Sequence, residues 1–313
     1  MTGWKDHIRS FACTAYKGSG AMALHEWVSR RLGTLSMSIL LFHRVTDLIS
    51  EDGLTVSPDR FRKTVELLAR RFRVVPLAEI FRIVRSGEPF PARTVAITFD
   101  DCYLDNRAAA EVLAEYGLPA TFFIPTEFVG TTKTFFWDRE LPAMPNLNWS
   151  DVRAIQDMGF EIGSHTLTHA NLGKVGPDRA RQEIFESKRV LEEKLGKPVL
   201  HLAYPFGGRH HFKREYLPLV SEAGYNGLVS AFGGFVHRGC DGEPLPRHNI
   251  ANFRSLPHLE IFLSGCLNWL YSIKGNWPGQ YVYPHLDKEE AQGQRSTDSS
   301  DGPPRSPSHP ANS

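Results

Sequence analysis

Alternation is what most constrains this 313-residue chain. Short apolar runs recur at 38–45 (SILLFHRV), 94–100 (TVAITFD), 120–125 (ATFFIP), 160–164 (FEIGS), 200–204 (LHLAY) and 227–231 (GLVSA). Each is rich in β-branched or aromatic residues and apolar nearly throughout, as strands buried on both faces are. Helical patterns lie between them. Ser57 precedes Pro58 as an N-cap followed by a proline at the first helical position. Four helical stretches stop at Gly117, Gly159, Gly196 and Gly224, the residue type that closes helices most readily. In the stretch 177–195, Ala180, Ile184, Ser187, Leu191 and Leu195 share one face. Strands alternating with helices predict βα units with right-handed crossovers, hence an α/β fold with a parallel sheet. The number of units suits a barrel, and a doubly wound open sheet is the alternative.

Domain limits follow from composition. Residues 1–36 read as an N-terminal extension with a helical tendency around 22–32, residues 37–275 as the barrel, and residues 276–313 as a C-terminal segment. From 287 onward there is no Val, Ile, Leu, Met or aromatic residue, so this tail is predicted to be disordered. Thirty-six Lys and Arg against 35 Asp and Glu leave no overall basic excess, so neither nucleic acid nor an anionic membrane is indicated as a partner. The four cysteines are scattered without a C-x-x-C pair, which excludes a zinc ribbon or a thioredoxin-type motif. The apolar stretch 39–42 is too short for a membrane span or a signal-peptide core. The sequence therefore predicts no integral membrane segment and a cytoplasmic location.

Three short segments carry the chemistry. Asp100 and Asp101 close the strand 94–100, two adjacent like charges that need compensation from solvent, a helix N-terminus or a cation. The segment 161–169 runs from a strand into a turn and places His165 and His169 four residues apart, on one side of that turn. One carboxylate and two imidazoles, each from the end of its own strand, match a catalytic metal site with open positions for water and substrate. One Asp must then bind the ion while the other stays free to take a proton from water. The third segment, 203–208 (AYPFGG), is a Pro-fixed turn able to present backbone N–H groups to an oxyanion.

In this order TFDD (98–101), HTLTH (165–169) and YPFG (204–207) resemble the polysaccharide deacetylases, carbohydrate esterase family 4, over roughly residues 37–250. The resemblance implies a distorted (β/α)7 barrel of parallel strands and a divalent metal, most often zinc, with cobalt, nickel or iron compatible with the same donors. It carries over Asp101, His165 and His169 as metal ligands and Asp100 as general base. The backbone N–H of Phe206 falls at the oxyanion position. The implied reaction removes an N-acetyl group from an amino-sugar-containing saccharide. The same barrel acting on another C–N bond, in a small amide or a formyl group, is the first alternative. A non-catalytic carbohydrate-binding protein is the second.

The sequence departs from the family pattern in two places. Cys102 stands where a glycine is usual after the second Asp, and Ala203 where many members have the arginine that orients the base. Arg247, in the segment 245–248 (LPRH), is the candidate replacement, with His248 beside it as a candidate general acid. His43 at the end of the first strand, Trp137 on a mouth loop and Tyr204 in the third segment are candidates for substrate contact, since aromatic faces stack on sugar rings.

Overall fold

The computed structural model describes residue 16, residues 18–253 and residues 255–266. The C-terminal segment from 276, with the tail from 287, lies outside the described residues. Helix α1 (Ala21–Leu32) precedes the first strand, β1 (Ser38–Phe42). Then come β2 (Arg44–Val45), β3 (Thr55–Val56), α2 (Pro58–Arg71), β4 (Arg73–Val74), α3 (Leu77–Ser86), β5 (Thr94–Phe99) and α4 (Asn106–Glu115). They are followed by β6 (Thr121–Ile124), α5 (Trp149–Asp157), β7 (Glu161–Ser164), α6 (Pro177–Leu195) and β8 (His201–Ala203). The last are α7 (Leu217–Glu222), β9 (Gly227–Val229), β10 (His248–Asn249) and α8 (Leu256–Leu263). No described helix is long and apolar enough to cross a membrane.

One path of seven parallel strands runs β10-β1-β5-β6-β7-β8-β9, and β4 adds a short pairing to the start of β5. The longest pairing aligns Ser38 with Val95 and Phe42 with Phe99. The ends of the path are joined by one segment, 245–249. Leu245 N–H donates to the Leu228 carbonyl, and Ser230 N–H to the Leu245 carbonyl, each at 2.9 Å. Three residues on, His248 and Asn249 pair with Leu40 and Leu41 of β1. The predicted (β/α)7 barrel is thus a parallel sheet closed along a seam only a few residues long.

Side-chain alternation along each strand sorts two cores. Leu40, Phe42, Val95, Ile97, Phe99 and Phe122 face the helices. Ile39, Ala96, Phe123, Ala203, Val229 and Leu245 belong to a second cluster on the other side of the sheet. Across β1, β5 and β6 the rings of Phe42, Phe99 and Phe122 stack in register, with centroids 5.2 and 4.6 Å apart. Truncating the central Phe99 to Ala removes both contacts and costs about 3–5 kcal/mol.

Local chemistry sets the element ends. The Ser57 hydroxyl accepts from Arg60 N–H at 3.4 Å, and Gly117, Gly159, Gly196 and Gly224 all have positive φ, as their placement after helices predicts. The single strand expected over 38–45 is instead broken at His43. Arg44 and Val45 turn aside to pair with Thr55 and Val56 in a separate two-stranded ribbon. The cause is Arg44, which is fully buried and carries its charge to Asp138, to Asp52 at 2.8 Å and to the Thr55 hydroxyl at 3.0 Å. An unpaired guanidinium at that depth would cost several kcal/mol.

Candidate metal centre and active site

Alternation along β5 directs Ala96, Thr98 and Asp100 to one side of the sheet, and the chain then turns sharply. Asp101 (φ 75°) and Cys102 (φ 53°) both adopt left-handed backbone. The same holds for Thr166 (φ 66°) and His169 (φ 60°) after β7 and for Phe206 (φ 63°) after β8. Among the described residues, five of the six non-glycine residues with positive φ lie in these three loops, and the sixth is Arg93. Each costs about 1–2 kcal/mol that packing elsewhere must offset. Such clustering of strain is characteristic of sites whose side chains must converge.

They do converge. One ligand atom each from Asp101, His165 and His169 lies within 4.8 Å of the others, and all three residues are buried. His169 Nε2 is 3.2 Å and His165 Nε2 3.4 Å from the same oxygen of Asp101. His165 Nδ1 is 2.7 Å from the carbonyl of Ala203, an acceptor, so Nδ1 carries a proton and Nε2 is the nitrogen turned to Asp101. Burial would raise the Asp101 carboxyl, but the hydrogen bonds from His165 and His169 outweigh it and hold the group well below the carboxylate range. Burial also lowers His169, which favours the neutral form that a ligand requires. Burial would lower His165 as well, but Asp100 and Asp101 outweigh it and raise this imidazole, so an ion would have to displace a proton there. Two imidazoles with one carboxylate suit a divalent first-row metal, zinc foremost.

Asp100 stands beside this cluster and is held separately. Arg247 grips it with two parallel bonds, Nη1 to Oδ1 at 2.7 Å and Nη2 to Oδ2 at 2.6 Å. The guanidinium is itself fixed by the Ser230 carbonyl at 2.6 Å and the Thr98 hydroxyl at 3.1 Å. Burial pushes the Asp100 carboxyl up, and Arg247 more than reverses it, so the group stays ionised. Arg247, and not residue 203, is thus the side chain that holds this carboxylate.

The cavity over these groups is lined by Leu41, His43, Leu54, Trp137, Phe206 and Asn249, among others. Among the described residues the buried Nδ1 of His43 has no hydrogen-bond partner. Trp137 stacks on Phe135 with centroids 4.7 Å apart and meets His169 edge-on at 5.5 Å. Its Nε1 donates to the Tyr103 hydroxyl at 3.1 Å, and that hydroxyl donates to Asp138 at 2.6 Å. Asp138 is one of the two carboxylates that pair with Arg44, so the ribbon after β1 holds the Trp137 wall in place.

Arg247 lies behind Asp100 rather than on the cavity, and two further candidates reach neither the cavity nor its carboxylates. His248 faces the opposite side of β10, where Phe235 and Phe262 each lie 4.7 Å away and neither ring nitrogen finds a partner among the described residues. Burial lowers its pKa to about 3. It cannot serve as general acid in this site. Tyr204 is buried against Phe212, and its hydroxyl donates to the Gly207 carbonyl at 3.0 Å, so it braces the third loop rather than touching the cavity. Cys102 is fully buried in apolar surroundings, and burial together with the Asp101 charge pushes its thiol well up, leaving a neutral packing residue.

Glu183 was not singled out from sequence, although it interrupts the apolar face of α6. It is fully buried and accepts from Leu167 N–H at 2.9 Å, Thr168 N–H at 2.8 Å and the Thr168 hydroxyl at 2.6 Å. Those three donors form the turn between the two histidines. Arg179 balances the charge at 2.7 Å.

Residues 87–228 match the model of a family described as polysaccharide deacetylase. The chain is 28% identical over 209 residues to the poly-beta-1,6-N-acetyl-D-glucosamine N-deacetylase of Staphylococcus epidermidis, covering 61% of this chain and 66% of that one. It is 29% identical over 122 residues to the peptidoglycan-N-acetylglucosamine deacetylase of Bacillus cereus, covering 38% of each. Among solved structures, a Streptococcus pyogenes deacetylase in complex with acetate shares the fold, with a TM-score of 0.61 at 21% identity, over 74% of this chain and 98% of that one.

Proposed function

From its membership of the polysaccharide deacetylase family, we propose that this chain is a metal-dependent hydrolase that releases acetate from the N-acetyl groups of an amino-sugar-containing saccharide. The observation that carries the reading is the separation of roles between adjacent carboxylates: Asp101 shares an oxygen with two imidazoles, and Asp100 is gripped by Arg247. The two relatives act, by name, on polymers that both contain N-acetylglucosamine, and this unit is the proposed reacting sugar.

Asp101, His165 and His169 would hold the ion, with zinc as the proposed metal. When bound, the ion supplies Lewis acidity that polarises the acetyl carbonyl and acidifies water. Asp100 takes the proton of the attacking water on a carboxylate oxygen, and Arg247 keeps that carboxylate ionised and aimed. The Phe206 backbone N–H, in the loop bent by its positive φ, stabilises the developing oxyanion. His43, the remaining imidazole on the cavity, is kept toward its neutral form by burial and is placed to contact substrate, while the proton that Asp100 takes from water is the one passed to the leaving amine. Leu41 and Leu54 form apolar walls suited to the acetyl methyl, and Trp137 offers a face to the sugar ring.

The test is product analysis by mass spectrometry on N-acetylglucosamine oligomers with zinc supplied. Loss of acetyl mass by the native chain, its abolition in Asp100→Asn with metal content unchanged, and its abolition by a chelator support the reading. Undiminished hydrolysis by the Asn variant refutes the base assignment, and full activity in metal-free protein refutes the mechanism.

A further inference from the structure

Six large hydrophobic side chains are exposed among the described residues, and four belong to α1: Leu24 (63% exposed), Trp27 (56%), Val28 and Leu32 (70%). They follow helical spacing along one side. The opposite side of the same helix does the docking. Met22 packs with Ile261, Cys266 and Tyr16, Ser29 is buried, and Glu26 reaches Arg93 at 2.8 Å. A twelve-residue helix thus rests on the domain by a narrow face and turns a broad apolar one outward.

Charge accompanies that face. Arg30 and Arg31 occupy its last turn, and the Arg31 guanidinium lies over the Trp27 ring at 5.4 Å. The chain as a whole is nearly neutral, yet residues 1–36 contain five Lys and Arg against two acidic residues. Overall balance conceals a positive excess in the sequence of this end of the chain. Amphipathic helices of this make-up, with Trp and Leu on one side and arginines that snorkel beside them, lie in the headgroup region of a bilayer. We propose that α1 is a membrane-surface contact, seating the protein on an anionic lipid interface by Leu24, Trp27, Val28 and Leu32.

The position of α1 fixes the orientation that results. Arg93, its partner, immediately precedes β5, and Asp100 follows the far end of that six-residue strand. At about 3.3 Å per residue the two ends are roughly 20 Å apart. The helix therefore sits at the pole opposite the cavity, and a protein lying on α1 holds its mouth toward the aqueous side. This inference is independent of the reaction proposed above.

The experiment uses the full chain and vesicles of phosphatidylcholine with or without phosphatidylglycerol. Co-sedimentation is expected with the anionic vesicles, weakening with salt, and reduced about tenfold or more in Leu24→Glu/Trp27→Glu. These two side chains face outward, so the variant should keep the native melting temperature. Hydrogen exchange on the vesicle-bound chain should slow in residues 21–32 and stay unchanged in mouth segments 131–147 and 204–212. Failure of the native chain to sediment, equal sedimentation of the variant, or a native dimer that the variant converts to monomer overturns the proposal, the last by making a second copy the occupant. Protection of the mouth segments overturns the orientation.

Discussion

Replacing Arg247 by Met isolates what its grip on Asp100 contributes. The change keeps an unbranched apolar stem but removes both bonds to the carboxylate, along with those to Ser230 and Thr98. Arg247 is fully inaccessible and Asp100 nearly so, so solvent cannot take the guanidinium's place. A buried ion pair deprived of one partner loses about 3–5 kcal/mol. In a domain of this size that corresponds to a fall in melting temperature of about 6–20 °C. The informative quantity is the coupling in a cycle of Arg247→Met, Asp100→Asn and the double variant, measured by urea unfolding of chelator-treated protein. If the cost is an orphaned charge, the double variant regains much of it and the coupling is about 2 kcal/mol or more. Additive losses would refute the argument, because they would mean that Arg247 acts through packing and the Ser230 contact rather than through Asp100.

Other outcomes follow from the same geometry. Glu183→Gln leaves only one acceptor oxygen for the turn between His165 and His169, and should weaken zinc binding about 10–100-fold in a chelator competition without unfolding the chain; unchanged affinity would reduce Glu183 to a helix contact. His248→Leu should retain turnover. Because burial depresses this imidazole to about 3, its neutral form stabilises the fold above the unfolded pKa near 6.5, and that stability drains away as pH falls toward 3. The Leu variant should therefore gain about 2 kcal/mol over the native chain at pH 5 in chemical unfolding, and loss of turnover with an intact fold would return His248 to the mechanism. Burial raises Asp105 to about 6, so the folded chain holds this proton more tightly than the unfolded one and stability declines as pH rises from about 4 to 6. Asp105→Asn should raise the melting temperature at pH 8 and leave it unaltered at pH 4; a gain of equal size at both would refute the assignment.

Much of this was legible in the chain because it rests on local rules. Strand runs, glycine stops and the three loop motifs each declare themselves within ten residues. What escaped was either too short for periodicity, as with the two-residue strands β3, β4 and β10, or depended on which way a side chain turned. Arg247 and His248 are the clearest case. Both were candidates, but neighbours on a strand point to opposite faces, so once Arg247 reached Asp100 the histidine had to leave the site. The same rule, with the turn after Asp100, separates Asp100 from Asp101. Glu183 carried a usable signal, an acid set among Ala180, Ile184 and Leu191 on a buried helical face. Its partners, 15 and 16 residues earlier in sequence, could not be read without the fold. Cys102 was the reverse: the glycine usual at its place was itself the signal of a left-handed backbone, since its φ is 53°.

The seam at residues 245–249 couples two properties that most enzymes keep apart. Leu245 and the His248–Asn249 pair supply the ladder that joins β9 to β1, and Arg247 between them aims the proposed base. Fraying is easiest where a sheet is held by fewest bonds. Thermal opening there would release Asp100 while the aromatic stack of Phe42, Phe99 and Phe122 remained assembled. Heat inactivation would then run ahead of bulk melting and reverse on cooling. A staple across this seam would extend the working temperature range more than any repair to the core.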